Sequence, residues 1–135
     1  MIKVSVRCPH CRNSLMDDGN RIDGEPTIGL VIVGQKTFGW LRLSSLYGSY
    51  AIESEFPAVD GEIGSFYCPW CHGNLRGSRL CDDCGAPMIP LEFTDGGVVQ
   101  LCSRRGCKRH LVEFEEIERE MSAFYAHYST FFKGK

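Results

Sequence analysis

The sequence predicts a small α+β fold, mainly β, that is built around two four-cysteine sites. Three observations favour this fold: eight cysteines that fall into close pairs, strand-like stretches in the middle of the chain, and one long amphipathic stretch at its end. At 135 residues the chain suits one compact domain, or two very small ones that share a core. Its 43% apolar and 24% charged residues exclude general disorder.

Charge and segment composition limit the environment and the partners of the chain. The formal net charge is −2, so long nucleic acids find no global positive field and would need a local basic patch. The residues before Cys8 lack the apolar core of a signal peptide, and the longest apolar run, residues 30–33, is too short to span a membrane. We therefore expect a cytoplasmic protein without membrane contact, in which paired cysteines bind metal rather than form disulfides.

The cysteines form three C-x2-C pairs and one C-x4-C pair: Cys8/Cys11, Cys68/Cys71, Cys81/Cys84 and Cys102/Cys107. A tetrahedral zinc site needs four soft ligands, and two such turns supply them. Four turns therefore predict two complete sites and two Zn²⁺ ions, with no cysteine left over. The same ligands would hold iron, as in rubredoxin, which makes an electron-transfer protein one alternative function.

The predicted sites favour a non-catalytic protein. A metal held by four thiolates keeps no open position for a reactive water, and zinc has no redox chemistry. The sequence also contains no nucleophile–base pair and no glycine-rich phosphate loop. We therefore expect both sites to be structural.

An internal repeat indicates which turns form the first site. Residues 8–15 and 68–75 match at both cysteines, at the proline after the first cysteine and at the final leucine. Two similar turns related by a pseudo-twofold axis suit one metal. This interpretation assigns four residues to site one: Cys8, Cys11, Cys68 and Cys71.

A predicted hairpin indicates how the second site forms. Residues 88–93 and 98–101 are apolar and flank the triplet Asp95-Gly96-Gly97, which is a strong hairpin signal. Because a hairpin brings its two ends together, the last cysteine pair returns to the third. Site two then comprises four residues: Cys81, Cys84, Cys102 and Cys107.

Residues 81–112 read CDDCGAPMIPLEFTDGGVVQLCSRRGCKRHLV, with CxxCG, a hairpin, and a second cysteine pair followed by a basic residue. This quarter of the chain resembles the zinc ribbons repeated at the C-terminus of bacterial type I DNA topoisomerases. The resemblance implies a zinc-ribbon fold and, less strongly, DNA binding, because Asp82 and Asp83 stand where that family usually has proline after the first cysteine.

A competing resemblance leaves the pairing of the turns open. Residues 68–88, CPWCHGNLRGSRLCDDCGAPM, also look like short stand-alone zinc ribbons. That resemblance implies one site of Cys68, Cys71, Cys81 and Cys84, and another of Cys8, Cys11, Cys102 and Cys107. The first pairing is favoured because it accounts for both the repeat and the hairpin.

The chain between the two halves of site one predicts an inserted antiparallel sheet at about residues 27–56. These residues are too many for a ribbon loop and too apolar for a linker. Strands rich in β-branched and aromatic residues are expected at 28–33, 37–43 and 48–54, followed by a return loop at 55–64. The predicted organisation is ribbon one at 1–75, ribbon two at 76–112 and a helix at 113–135, in one compact unit.

The C-terminal stretch predicts an amphipathic helix. Residues 113–132 contain no glycine or proline, and six apolar residues recur at spacings of three and four: Phe114, Ile117, Met121, Phe124, Tyr128 and Phe131. We expect this helix to pack on the chain's own sheet. An apolar surplus near its end predicts a surface for a protein partner or a second copy, formed by Phe124, Tyr125, Tyr128 and Phe131.

A cluster of four cations near the last cysteine pair supports an alternative function. The cluster consists of Arg104, Arg105, Lys108 and Arg109. It would contact the phosphates of a single-stranded nucleic acid, or it would balance the charge of the thiolates and of Asp82 and Asp83. The favoured function remains an adaptor that presents the inserted sheet and the terminal helix to a protein partner. His10, His72 and His110, close to the cysteines, are expected at the surface or in contact with the ligands.

Overall fold

The computed structural model describes residues 2–35, 38–49, 51–55, 60–107 and 110–113. This part of the chain is β throughout, and it contains no helix long and apolar enough to cross a membrane. Its strands are β1 (Ile2–Lys3), β2 (Val6–Arg7), β3 (Met16–Ile22), β4 (Glu25–Val33), β5 (Phe38–Leu43), β6 (Leu46–Tyr47), β7 (Ile52–Ser54), β8 (Ser65–Tyr67), β9 (Met88–Phe93), β10 (Val98–Cys102) and β11 (His110–Glu113). The mainly β prediction is confirmed.

The predicted inserted sheet is present, with five antiparallel strands. Its order is β3-β4-β5-β7, and β8 pairs with residues 31–33 of β4. The expected strands at 28–33 and 37–43 correspond to β4 and β5. The third expected strand, 48–54, is shorter in the structure: only residues 52–54, which form β7, pair with β5, and Gly48 has a φ of 98° that interrupts an extended chain.

Strand β4 lies in the centre of the inserted sheet, because it pairs with β3, β5 and β8. Its side chains alternate between the two faces of the sheet. Ile28, Leu30 and Ile32 are buried on one face, where Leu41 of β5 lies opposite Leu30. Residues that face each other in an antiparallel pair share a face of the sheet. The inserted sheet therefore has an apolar inner face, and the residues between these positions form its outer face.

The second sheet contains the predicted hairpin. Strands β9 and β10 pair from Glu92↔Val98 to Met88↔Cys102. Cys102 therefore lies opposite Met88, which follows Cys84 by four residues in the sequence. Gly96 and Gly97 adopt φ of 104° and 90°, a conformation that explains the two glycines of the turn.

Two further strands complete this second sheet, in the order β11-β10-β9-β2. The pairing of β2 with β9 brings a strand of predicted ribbon one into the sheet of predicted ribbon two. On the other edge, β11 pairs with β10 and ends at Glu113, opposite Val98. The prediction that the helix begins at 113 is therefore corrected, because the backbone of Glu113 continues a ladder with β10. The remainder of the predicted helix, 114–135, lies outside the described residues.

The core lies between the inner faces of the two sheets. Its members come from both halves of the chain, and the largest fully buried apolar side chains include Val6, Leu30, Leu41, Leu91 and Phe93. Leu15 and Leu75, the leucines at the ends of the sequence repeat, belong to the same cluster. The repeat therefore anchors site one directly to the core.

Candidate metal centres

The four cysteines assigned to site one meet in the structure. Their sulfur atoms all lie within 4.8 Å of one another, and the Cys8–Cys71 and Cys11–Cys68 sulfur distances are 3.8 and 3.7 Å. Four thiolates at about 2.3 Å from a tetrahedral zinc ion are separated by about 3.8 Å. A disulfide would need about 2.0 Å. The spacing therefore fits four ligands of one metal ion and not two disulfides.

The other four cysteines form an equivalent cluster. The sulfur atoms of Cys81 and Cys107 are 3.8 Å apart, and those of Cys84 and Cys102 are 3.4 Å apart. All four again lie within 4.8 Å of one another. The grouping is the one favoured by the repeat and the hairpin, and the grouping implied by the stand-alone ribbons does not form.

Three cysteine turns, residues 8–15, 68–75 and 81–88, share one backbone scheme. In the first, Cys8 N–H donates to Asn13 O at 3.0 Å, Arg12 N–H donates to Cys8 O at 2.9 Å, and Arg7 bridges to Ser14. The same bonds recur at the equivalent positions of the second and third turns. The third turn therefore belongs to the repeat, although its sequence lacks the proline and the final leucine.

Backbone N–H groups of the turns are directed at the sulfur atoms. In site one, His10 N–H lies 3.3 Å from the Cys8 sulfur, and Trp70 N–H lies 3.3 Å from the Cys68 sulfur. Such donors stabilise a thiolate. The backbone N–H of Asn13 is the main reason that the pKa of Cys11 is lowered to about 7.

Burial raises the pKa of the two buried cysteines of site one, Cys8 and Cys68. The pKa of Cys68 rises to about 12. A thiol that is buried in this way ionises only when a cation is present to stabilise the charge. The donor set is therefore suited to a metal ion, which would displace these protons on binding.

Two reciprocal hydrogen bonds connect the halves of site one. His10 and Trp70 occupy the same position in their turns, and so do Ser14 and Asn74. His10 Nε2 lies 2.9 Å from Asn74 O, and Trp70 Nε1 donates to Ser14 O at 3.0 Å. Because a carbonyl oxygen only accepts, Nε2 of His10 carries the proton. Because each turn bonds the other at equivalent positions, the two bonds agree with the pseudo-twofold axis that the repeat predicts.

Sequence reasoning did not find this role for the two rings. His10 was expected at the surface or near the ligands, and no bond between turns was expected for either residue. The signal was present in the repeat, because His10 aligns with Trp70, and both side chains carry a ring N–H. The sequence does not show how close the two turns lie. That distance is set when the four cysteines of site one come together.

An arginine contacts the ligands of site two. Arg104 is half-buried, its Nη1 donates to Gly61 O at 2.8 Å, and its guanidinium lies close enough to the Cys84 thiol to help lower the pKa of that thiol. The pKa of Cys84 is lowered to about 6, mainly by the backbone N–H of Ala86, with a further contribution from Arg104. Burial raises the pKa of Cys102. Arg104 thus joins site two to the loop that leads back from the inserted sheet.

The neighbouring cation also has partners within the chain. Arg105 is half-buried, burial lowers its pKa, and Glu62 and Asp60 lie close enough to oppose that effect. Its backbone N–H donates to Glu62 O at 2.8 Å. The structure therefore brings two of the four predicted phosphate-binding residues into internal contacts. Lys108 and Arg109 lie outside the described residues, as do the predicted partner-surface residues Phe124, Tyr125, Tyr128 and Phe131.

Comparisons with protein-family models, with curated proteins and with solved structures give no match to this chain. The resemblance to topoisomerase zinc ribbons is therefore supported only by the positions of the cysteines. Two clusters of four cysteines lie at metal-binding distance, which suggests zinc-ribbon-like sites. The account of function accordingly depends on the residues themselves.

Proposed function

We propose that this chain is a non-catalytic interaction module whose two four-cysteine clusters each hold one structural Zn²⁺ ion. The observation that carries the proposal is the arrangement of all eight thiols in two groups, with paired sulfur distances of 3.4 to 3.8 Å. When bound, zinc cross-links the turns of each site. No thiol remains for a nucleophile, and each metal ion is fully coordinated by protein.

The position of the clusters supports a structural role. Site one joins the N-terminal turn to the turn that follows β8, so it closes the chain around the whole inserted sheet. Site two joins the ends of the β9–β10 hairpin. Metal binding of this type contributes about 10 kcal/mol or more of folding free energy, which suits a chain with short strands and a core divided between two sheets.

The outer face of the inserted sheet is the surface that we propose for a protein partner. Register places Phe38 opposite Val33, and both Trp40 and Tyr67 opposite Val31. These five residues therefore lie on one face, which we call the aromatic face. Phe38 is 69% exposed, and the other four are half-buried. Contiguous aromatic surface of this kind is typical of protein interfaces.

Charges around the aromatic face favour a protein partner over a nucleic acid. Glu55 accepts a hydrogen bond from the backbone N–H of Trp40 at 2.6 Å, and Glu53 lies opposite Arg42 in register. The Arg42 guanidinium stacks 4.9 Å from the Trp40 ring centroid and pairs with Asp17 at 3.3 Å. The carboxylates would repel the phosphates of a nucleic acid. They would instead attract a partner segment with basic side chains, whose apolar side chains would contact the aromatic face.

Metal content tests the first half of the proposal. Protein purified without added metal is analysed for its elements and by visible absorption. We expect two zinc atoms per chain and no colour, and fewer than two zinc atoms in each of Cys68→Ser and Cys102→Ser. Iron with thiolate charge-transfer bands would instead support the rubredoxin-like alternative.

A matched pair of surface variants tests the second half. Phe38→Asp alters the aromatic face, whereas Leu80→Asp places the same charge on a side chain that is 57% exposed outside that face. We expect a partner captured from native lysate to bind Phe38→Asp at least tenfold more weakly, and Leu80→Asp as well as the original chain. Equal capture by both variants would exclude the aromatic face as the interface.

A further inference from the structure

The two metal sites differ in how far their ligands are exposed to solvent. In site one, Cys71 is exposed, Cys11 is half-buried, and Cys8 and Cys68 are fully buried. In site two, Cys81 is buried and the other three ligands are half-buried. Oxidation of a thiolate by a dissolved oxidant requires access to its sulfur atom. Cys71 is therefore the most accessible of the eight cysteines to such an oxidant.

Packing around site two accounts for the lower exposure of its ligands. Residues 60–64 lie against the turn that carries its last two cysteines. Gly61 N–H donates to Arg105 O at 2.9 Å, and Arg104 Nη1 donates to Gly61 O at 2.8 Å. This loop and the half-buried side chains of Arg104 and Arg105 therefore pack beside the ligands.

The exposed sulfur of Cys71 lies beside a buried one. It is 3.8 Å from the sulfur of Cys8, which is 0% exposed. The backbone N–H of Gly73 donates to the Cys71 sulfur at 3.4 Å, which fixes the position of that sulfur. A thiolate is both the form that binds a metal and the form that attacks an oxidant, and a neighbouring thiolate can attack a sulfur that has been oxidised. Cys71 and Cys8 therefore combine an accessible sulfur with a protected one that is placed to form a disulfide with it.

We propose that Cys71 is a site of reversible oxidation, at which hydrogen peroxide converts the metal cross-link of site one into a Cys8–Cys71 disulfide. The inference rests on the proposed function, because it needs a zinc ion in site one. The Cys71 thiolate attacks one peroxide oxygen, the O–O bond breaks, and hydroxide leaves as the sulfur becomes a sulfenic acid. The Cys8 thiolate then attacks this sulfur, the S–S bond forms, and the S–O bond breaks to release a second hydroxide. Two electrons pass from the two sulfur atoms to the peroxide.

The disulfide keeps the two turns of site one connected. Cys8 belongs to the N-terminal turn and Cys71 to the turn that follows β8, so their disulfide closes the chain around the inserted sheet as the metal does. Only Cys11 and Cys68 remain as ligands, which are too few to retain zinc tightly. Oxidation therefore differs from chelation, which removes the cross-link altogether. We expect the oxidised chain to release the zinc ion of site one and to keep both sheets and the zinc ion of site two.

Mass spectrometry of the full, zinc-loaded chain tests this proposal. Hydrogen peroxide is added at about one equivalent per chain, with or without dimedone, which traps sulfenic acids. With dimedone, we expect label on Cys71 at several times the level on any other cysteine. Without it, we expect a Cys8–Cys71 disulfide and release of about one zinc ion per chain to a chromogenic chelator. Reduction with a thiol and added zinc should restore the original zinc content.

Matched variants separate the thiol chemistry of Cys71 from its role as a ligand. Cys71→His and Cys107→His each replace one thiolate by a side chain that also binds zinc. We expect Cys71→His to release zinc to peroxide at least about tenfold more slowly than the original chain. Cys107→His should form the Cys8–Cys71 disulfide at the original rate. The dimedone labelling uses the original chain, so it does not depend on the folding of either variant.

The outcomes distinguish a failure of this inference from a failure of the proposed function. A starting content other than two zinc atoms per chain would contradict the proposed function, and this inference with it. With two zinc atoms present, label spread evenly over the eight cysteines would overturn the inference alone. Equal zinc loss from both sites, or disulfides that form first in site two, would also overturn it.

Discussion

The residue after the second cysteine adopts a left-handed backbone in each of the three cysteine turns. Its φ is 62° at Arg12, 59° at His72 and 77° at Gly85. A residue with a Cβ adopts this conformation at a cost of about 1 kcal/mol, whereas glycine adopts it freely. The same backbone scheme is therefore built from different residues, and only the third turn contains the residue that suits it best.

This difference gives a prediction for single substitutions. Gly85→Ala is expected to lower the free energy of unfolding by about 1 kcal/mol. The whole effect is backbone strain, because a Cβ at position 85 would meet no atom within 4 Å. Arg12→Gly is expected to change stability by less, since relief of strain is offset by the greater freedom of glycine in the unfolded chain. Denaturant unfolding at fixed free zinc measures both, and unchanged stability of Gly85→Ala would contradict the account.

The reciprocal ring contacts give a second prediction at this scale. Trp70→Phe keeps an aromatic ring but removes the 3.0 Å bond to Ser14 O, so we expect a loss of about 1 kcal/mol. That loss corresponds to roughly a fivefold weaker zinc affinity at site one, measured by competition with a chelator. Trp40→Phe, on the aromatic face, is the control and should leave this affinity unchanged. An unchanged affinity in Trp70→Phe would mean that the contact does not support the site.

At the level of elements, the sequence predicted those strands and turns whose signal is local. The β9–β10 hairpin was predictable from its glycine turn, and β4 and β5 from their β-branched and aromatic residues. Strand β3 carried no such signal, because its sequence, MDDGNRI, is polar and its pairing with β4 is interrupted between Asp17 and Arg21. It forms because β4 offers an edge, which is a tertiary cause.

Short strands were missed for the same reason. The three residues of β8 and the four of β11 are too few for a pattern, and each is a strand only through its pairing with β4 or β10. Glu113 shows the limit most clearly. Its neighbours in sequence favour a helix, whereas the structure extends the ladder of β10 as far as this residue.

The segment between the two sites provides a prediction at this scale. Gly77 N–H donates to Met88 O at 2.9 Å, which ties the connection between the cysteine turns to β9. A Cβ at position 77 would lie 2.9 Å from Pro90 Cδ, so Gly77→Ala must displace the ring or break the bond. We expect a destabilisation of about 1 to 3 kcal/mol.

A second glycine provides the control for Gly77→Ala. At position 19 a Cβ would lie 3.4 Å from its nearest neighbour, an oxygen of Asp17, which is ordinary contact. Gly19→Ala is therefore expected to cost far less. If both variants unfold at the same denaturant concentration, the proposed close approach at Gly77 is wrong.

For the whole molecule, the pairing of β2 with β9 connects the two metal centres. Site one holds the chain that carries β2, and site two holds the hairpin that carries β9, so the second sheet needs both. We expect a zinc chelator to unfold the chain in one transition, monitored by circular dichroism together with zinc release. Two separate transitions, each releasing one zinc ion, would indicate independent ribbons instead.

The central claim is that eight thiols form two closed metal sites, and X-ray absorption at the metal edge tests it most directly. The proposal predicts two zinc ions per chain, with an average first shell of four sulfur atoms at about 2.3 Å and no nitrogen or oxygen ligand. A first shell that includes nitrogen or oxygen, or fewer than two zinc ions per chain, would contradict it.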